Sequence, residues 1–311
     1  GSPLCHKFME EKGMKDTHEL SEYFLENITE MLSKKGVKTS GWQEVALHHS
    51  PEMNARIAPR FAGVYCWSTI GKRDVVPYTV ANEGYDVILC NVNNLYIDLA
   101  YNPHKDEPGL TWGGYVNEFT SFNILPYNIY CSARENTAGE KNNLKTAGKG
   151  KIQLTEQSRP RIKGVQAQLF SETIGSFDMV QYYVFPKIFG LVERGWNAYP
   201  EWSPVPNDDK QALYEKARAI YNAKIAEIEL PRLAADGFNF RVAQPGIKIV
   251  EGKLYANSPI PQAEIRYTTD GSEPTATSTL WEAPVDCSAT VVKAKLFYLG
   301  KESHTTDYKN D

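Results

Sequence analysis

Four stretches of this chain end an apolar, extended run in aromatic and acidic residues: Val37–Glu44 (VKTSGWQE), Phe61–Ser68 (FAGVYCWS), Asn94–Asp98 (NLYID) and Gly164–Glu172 (GVQAQLFSE). Helical spacing fills much of the chain between and around them. Strands alternating with helices predict a parallel sheet with helices outside it. In such folds, polar and aromatic residues at successive strand ends converge on one site. Tyr96 with Asp98, and Phe170 with Glu172, stand two residues apart, so in an extended strand each pair points to one side. A ring beside a carboxylate can hold a sugar, stacking on its face and accepting hydrogen bonds from its hydroxyls.

The helical pattern is explicit before and after these runs. Leu20, Phe24, Ile28, Met31 and Leu32 repeat at helical spacing behind a possible cap at Thr17, and Gly36 closes that helix. Strands are expected over Val37–Trp42, Phe61–Trp67, Tyr85–Asn91 and Gly164–Phe170. The polar stretch 132–160 reads as a loop. Phe177–Trp196 is apolar on most faces and predicts a buried helix interrupted near Pro186. A further helix starts at Asn207-Asp208-Asp209, with Leu213, Ala217, Ile220 and Ala223 on one side.

After Gly237 the pattern changes. Ile247–Val250, Ala263–Thr268 and Val291–Tyr298 alternate with period two, and Asp270-Gly271 is a turn signal. No helical period appears there. The expectation is one domain over residues 1–243 and a small all-β, sandwich-like domain over 244–311, divided in Gln244-Pro245-Gly246.

Bulk properties remove several functions. A net charge of −4 over 311 residues gives no reason to expect nucleic acid or an anionic membrane as partner. Lys141–Lys151 lacks interleaved aromatics and reads as a solvated loop. No apolar run is long enough to span a membrane, and the first residues contain no signal-peptide h-region. Cys5, Cys66, Cys90, Cys131 and Cys287 show neither a disulfide framework nor zinc spacing, and Cys66 and Cys90 read as small core residues. His48 and His49 are adjacent rather than four apart, and the other histidines are scattered and expected in solvent, so neither a metal nor a cofactor is expected.

With these segments and their order in hand, the chain resembles the family-20 glycoside hydrolases, the β-N-acetylhexosaminidases. SPLCHKFMEEKG looks like the stretch after that family's fourth barrel strand. GWQEV, VYCWS, NLYID and GVQAQLFSE look like the ends of strands five to eight, and GFNFRVAQPG like the barrel-closing segment. RYTTDGSEPT resembles the C-terminal β-domain of chitobiase-like enzymes. The resemblance implies an α/β fold: half of a (β/α)8 TIM barrel, strands five to eight with their helices, followed by the small β-domain.

It also implies part of an exo-acting hydrolase that removes terminal N-acetylglucosamine or N-acetylgalactosamine from glycans or chito-oligosaccharides. The family mechanism is substrate-assisted and retaining: the 2-acetamido oxygen of the sugar attacks the anomeric carbon. By this resemblance Trp42 and Trp67 are walls of the acetamido pocket, and Tyr96 is the catalytic hydroxyl that donates to the acetamido oxygen. Asp98 and Glu172 bind the 4- and 6-hydroxyls, and Trp112 (in GLTWGGY) lines the pocket or the leaving-sugar side. Phe170 stands where the family usually has Trp. The family's acidic Asp-Glu pair falls upstream of Pro3, so these 311 residues alone are expected to be inactive. A periplasmic or secreted location is the family expectation.

Each residue also has a plainer reading. Trp42 and Trp67 can be rim packing, Tyr96 a core residue, Asp98 a cap for the next helix, and Glu172 a helix-start carboxylate. Glu44 can orient the Trp42 loop. Two other functions stay open: a glycan-binding module without chemistry, and a structural half-barrel that pairs with its missing half or with itself.

Overall fold

A computed structural model describes residues 2–309. Its first sheet has four parallel strands in sequential order: β1 (Thr39–Trp42), β2 (Phe61–Cys66), β3 (Val87–Leu89) and β4 (Ile162–Val165). Two helices, α1 (Pro3–Lys12) and α2 (Thr17–Ser33), precede it. Between β1 and β2 lies α3 (Pro51–Ile57), and α4 (Val76–Asn82) joins β2 to β3. This is the strand-and-helix alternation of half a (β/α)8 barrel.

The caps explain where the helices begin. Asp16, not Thr17, caps α2: its Oδ1 accepts from the backbone of His18 and Glu19. Ser50 caps α3, with Pro51 at the first helical position. The apolar stripe read on α2 is only partly inward. Leu20, Ile28 and Leu32 are half-buried, whereas Phe24 and Met31 are exposed, and Leu25, outside that stripe, packs on the main core. That core gathers Ile57, Phe61, Val64, Tyr78, Val80, Tyr85, Val87 and Leu89 between the sheet and its helices.

The crossover from β3 to β4 is long. It carries α5 (Val92–Leu95), α6 (Glu118–Phe122) and the extended loop through residues 132–155. After β4 come α7 (Phe177–Val184) and α8 (Ile188–Trp196), separated at Pro186 as expected. The pair is not buried throughout: Phe177 is exposed and Trp196 is 90% exposed. Helix α8 meets α6 at Gly190, where a Cβ would lie 2.2 Å from Ser121 Oγ and 2.3 Å from the Phe122 nitrogen. Only glycine allows that approach.

Helix α9 (Gln211–Lys224) continues through a π-helical turn into α10 (Leu230–Ala235). Its buried stripe is Tyr214, Tyr221, Ile225 and Ala226, rather than the face of Leu213 and Ile220, which are exposed.

The rest is antiparallel. Strands β5 (Gly246–Val250), β6 (Lys253–Asn257) and β9 (Val285–Asp286) form one sheet. The other contains β7 (Glu264–Thr268), β8 (Thr279–Leu280), β10 (Val291–Tyr298), β11 (Lys301–Glu302) and β12 (Thr306–Lys309). Strand β10 alternates buried and half-buried residues along its whole length, the period-two pattern of a strand with one covered face. Ile265, Ala294, Leu296 and Tyr298 share a core with Tyr221, Ile225 and Leu230. The Tyr298 hydroxyl donates to the Ala226 carbonyl at 2.8 Å.

Candidate functional site

The expected site residues meet at the C-terminal ends of the four parallel strands. A cleft of about 210 Å3 is lined by Trp67, Tyr96, Asp98, Trp112, Phe170 and Glu172, with Leu99, Leu110 and Thr173. Trp42 stands beside it, its ring 6.4 Å from Phe170 and 6.0 Å from Tyr65.

Trp67 follows β2 and is held by the loop after β1. Gln43 is buried, and its Oε1 accepts from the backbone N–H groups of Trp67 and Ser68, both at 3.0 Å. The indole Nε1 of Trp67 donates to Glu44 Oε1 at 3.1 Å. Glu44 therefore orients Trp67, not the Trp42 loop, and does so from an exposed position. Gln43 was not singled out in the sequence, although it sits between Trp42 and Glu44.

Tyr96 and Asp98 lie beyond β3 and α5. An isolated parallel bridge pairs Tyr96 with Gln168. Ile97 N–H donates to the Gln168 carbonyl at 2.9 Å, and Gln168 N–H to the Leu95 carbonyl at 2.8 Å. The apolar run Gly164–Phe170 thus leaves the sheet ladder at Val165 and continues into the site. Tyr96 is buried among Val92, Leu99 and Val116, with Trp67 against them. Burial pushes its phenol up, so at neutral pH it is a hydroxyl able to donate.

Asp98 is 8% exposed. Its Oδ2 accepts the Phe170 N–H at 2.8 Å, while Oδ1 is buried without a partner. Burial raises its pKa, opposed by the Phe170 N–H and by the nearby Lys187 charge. It does not cap the next long-range helix, α6, whose capping residue is Asn117. Glu172 is exposed on the cleft and stands ahead of α7, which Ser176 caps.

The loop 100–116 doubles back over this point. Ala100 N–H donates to Leu110 O and Val116 N–H to Ala100 O, both at 3.0 Å. Gly109, at φ +116°, makes the turn possible, because a Cβ there would lie 2.6 Å from the Ala100 nitrogen. Trp112 is thereby laid edge-on to Tyr96 (5.8 Å, 89°) and to Trp67 (6.2 Å, 78°), yet stays 52% exposed.

Under the loop sits a charged group that the sequence did not reveal. Lys187, fully buried, donates from Nζ to the carbonyls of Ile97 (2.8 Å) and Leu99 (2.6 Å), on either side of Asp98. Burial pulls its pKa well down. Glu107 pairs with Arg241 through contacts of 3.0–3.2 Å, and Tyr182 donates to the same carboxylate at 2.8 Å. These buried groups hold the start of the site loop, at Ile97 and Leu99, and its middle, at Glu107.

The histidines are not all in solvent. The His49 side chain is buried, with Nδ1 2.8 Å from Glu22 Oε1. His104 and His304 stack at 5.1 Å. The five cysteines are free, and Cys66 and Cys90 are buried core residues as expected. No helix among the described residues is long and apolar enough to cross a membrane.

Residues 1–199 match the family model described as glycosyl hydrolase family 20, catalytic domain. Residues 229–304 match the chitobiase/beta-hexosaminidase C-terminal domain. The chain is 28% identical over 287 residues to N,N'-diacetylchitobiase of Vibrio harveyi, covering 87% of this chain and 31% of that protein. It is 25% identical over 292 residues to a beta-hexosaminidase of Vibrio vulnificus, covering 87% of this chain and 33% of that one. The chain therefore spans about a third of the length of these curated relatives. A crystal structure of the family-20 exo beta-N-acetylglucosaminidase from Vibrio harveyi with N-acetylglucosamine shares the fold. Its TM-score is 0.51 and its identity 23%, over 77% of this chain and 30% of that one.

Proposed function

This chain belongs to glycosyl hydrolase family 20, and from that premise we propose that it carries the sugar-holding half of an exo-acting β-N-acetylhexosaminidase site. The whole protein would release terminal N-acetylglucosamine or N-acetylgalactosamine from glycans by the substrate-assisted, retaining route, from a periplasmic or secreted location. The observation that carries this reading is the cleft itself: four aromatic rings and two carboxylates converge on a space the size of one sugar.

In this reading Trp42 and Trp67 wall the acetamido group, and Trp67 is kept upright by Glu44 and Gln43. Tyr96, a buried neutral phenol, donates to the acetamido oxygen. That contact orients the oxygen for attack on the anomeric carbon. Asp98 offers its free Oδ1 to a sugar hydroxyl, and Glu172 accepts from the neighbouring one. Phe170 and Trp112 cover the apolar faces of the ring. The division near Gln244-Pro245-Gly246 belongs to the same proposal, with the β-sheets bracing α9 and α10.

Calorimetric titration of the purified protein with N-acetylglucosamine, with glucose as the control, tests the reading. Saturable binding of the acetamido sugar and weaker or absent binding of glucose is expected. Equal affinity for the two would remove the acetamido pocket from the account.

The outer edges of β1 and β4 pair with no other strand among the described residues, and Phe24, Phe177 and Trp196 are exposed. These features support a further part of the proposal, that the remaining units of the barrel or a second copy cover this face. Sedimentation of the chain as a monomer with unchanged stability over a wide concentration range would count against a second copy.

A further inference from the structure

Away from the cleft, the first turns of α2 face the loop that links β1 to α3, and three side chains meet there. His18 and Glu22 are four residues apart on α2 and so share one helix face. His49 comes from the loop, turned inward by His48, which adopts a left-handed φ of 68°. Glu22 Oε1 lies 2.8 Å from His49 Nδ1 and 3.4 Å from His18 Nε2. The three ligand atoms all fall within 4.8 Å of one another.

The hydrogen bonds around His49 point to a cation. Its Nε2 is 3.0 Å from the Val45 carbonyl, so that nitrogen carries a proton and donates it. A singly protonated ring then turns the bare lone pair of Nδ1 toward a carboxylate oxygen, and two acceptors face each other at contact distance. An electropositive centre must lie between them. A second ring proton would satisfy this pair alone. A metal ion would satisfy the pair and also engage the third donor, His18 Nε2. The ring N–H to backbone carbonyl bond opposite Nδ1 is the support that metal-ligating histidines ordinarily have.

We propose that His18, Glu22 and His49 form a binding site for a divalent transition-metal ion of the zinc type. Two imidazoles and one carboxylate are a common zinc donor set, with water at the fourth position. In a tetrahedral site with bonds of about 2.0–2.1 Å the donor atoms stand about 3.3 Å apart, so small side-chain rotations suffice. Side-chain exposures of 44% for His18, 25% for Glu22 and 5% for His49 give one sheltered ligand and an open side for water. On binding, His18 Nε2 gives up its 3.1 Å contact with the His48 carbonyl and carries its proton on Nδ1.

The ion would clip α2 to the segment that holds Trp67 through Gln43 and Glu44, which the Val45 carbonyl joins directly to His49. The site is separate from the sugar cleft, and its test does not depend on the proposed activity. Chelator-treated protein is titrated with zinc in a calorimeter, and with cobalt(II) while the visible spectrum is recorded. One saturable equivalent is expected, with the intense d–d absorption of a low-coordinate cobalt site, and a higher unfolding temperature in the loaded protein. His18→Ala and Glu22→Gln alter partly exposed side chains and should fold; each is expected to abolish the equivalent, while His104→Ala keeps it. Absence of a saturable equivalent in the parent protein, or one that survives both His18→Ala and Glu22→Gln, overturns the proposal.

Discussion

The backbone N–H of Phe170 donates to Asp98 Oδ2 at 2.8 Å, joining two strand-end segments 72 residues apart in the chain. One carboxylate oxygen is committed to architecture while the other is buried without a partner; under the proposed function it is the one that meets the sugar. The two roles separate by mutation. Asp98→Asn retains an oxygen for Phe170 but lowers its charge, so it should fold normally. Its sugar affinity should fall about ten- to hundredfold, the usual worth of a hydrogen bond to a charged group. Asp98→Ala should lose the affinity and also stability, because it leaves the Phe170 N–H unsatisfied. Calorimetry and thermal unfolding of the two variants read these effects apart; equal unfolding temperatures for Asn and Ala would refute the architectural half.

Trp112 is the lining ring least involved in packing. Its Ala variant should keep stability to within about 0.5 kcal/mol, as exposed substitutions do, yet lose about tenfold in sugar affinity, as central aromatic anchors do. Trp67→Ala should lose both, since its indole is tied to Glu44 and its ring packs on the Val92–Tyr96 cluster. Denaturant midpoints beside binding isotherms compare the two. A Trp112→Ala protein that binds as the parent does would place Trp112 outside the sugar site.

The contrast between what was readable and what was not follows from the range of the interactions. Strand β10 was legible because its alternation reports one covered face along eight residues. The convergence of the candidate residues on one cleft was legible because they sit next to strand ends in recognisable order. The run Gly164–Phe170 is longer than the strand it predicts, because ladder pairing ends at Val165 and only the isolated bridge at Gln168 continues it. The buried stripe of α9 was missed because tyrosines, not Leu213 and Ile220, supply it. Gln43 and Lys187 gave no local signal. Each is defined by partners 24 to 90 positions away, and a lone polar residue in sequence does not disclose which backbone groups it will satisfy.

The Glu107–Arg241 pair supplies a stability prediction. Arg241 lies in the segment between α10 and β5, and Glu107 in the loop between Asp98 and Trp112, so the pair ties the site loop to the segment that leads into β5. Both side chains are buried, at 5% and 0% exposure. Glu107→Leu leaves an unpaired guanidinium inside and should cost about 3–5 kcal/mol. Replacing both, Glu107→Leu with Arg241→Met, should recover most of that loss, because desolvation of both charges is relieved together. A double variant as unstable as the single one in urea unfolding would contradict the assignment of the cost to the unpaired charge.

The pH dependence of sugar binding follows from Asp98. Burial holds its carboxyl above the ordinary aspartate range, so just above that range the free protein still carries the proton. Under the proposed function, Oδ1 of the ionised form accepts a hydrogen bond from a sugar hydroxyl, and the sugar then binds that form preferentially. Affinity should rise as pH increases through the raised value and level off above it. The stability contribution has the opposite sign. A raised folded-state pKa favours the folded protein below the unfolded value, and that contribution disappears as pH rises through the folded value. Tryptophan fluorescence titrations with N-acetylglucosamine, from acid to neutral pH, measure the binding limb. In Asp98→Asn the rise assigned to this carboxyl should vanish while the remaining weak binding stays level. A parent protein whose affinity is flat across that interval would show that Asp98 does not meet the sugar in its ionised form.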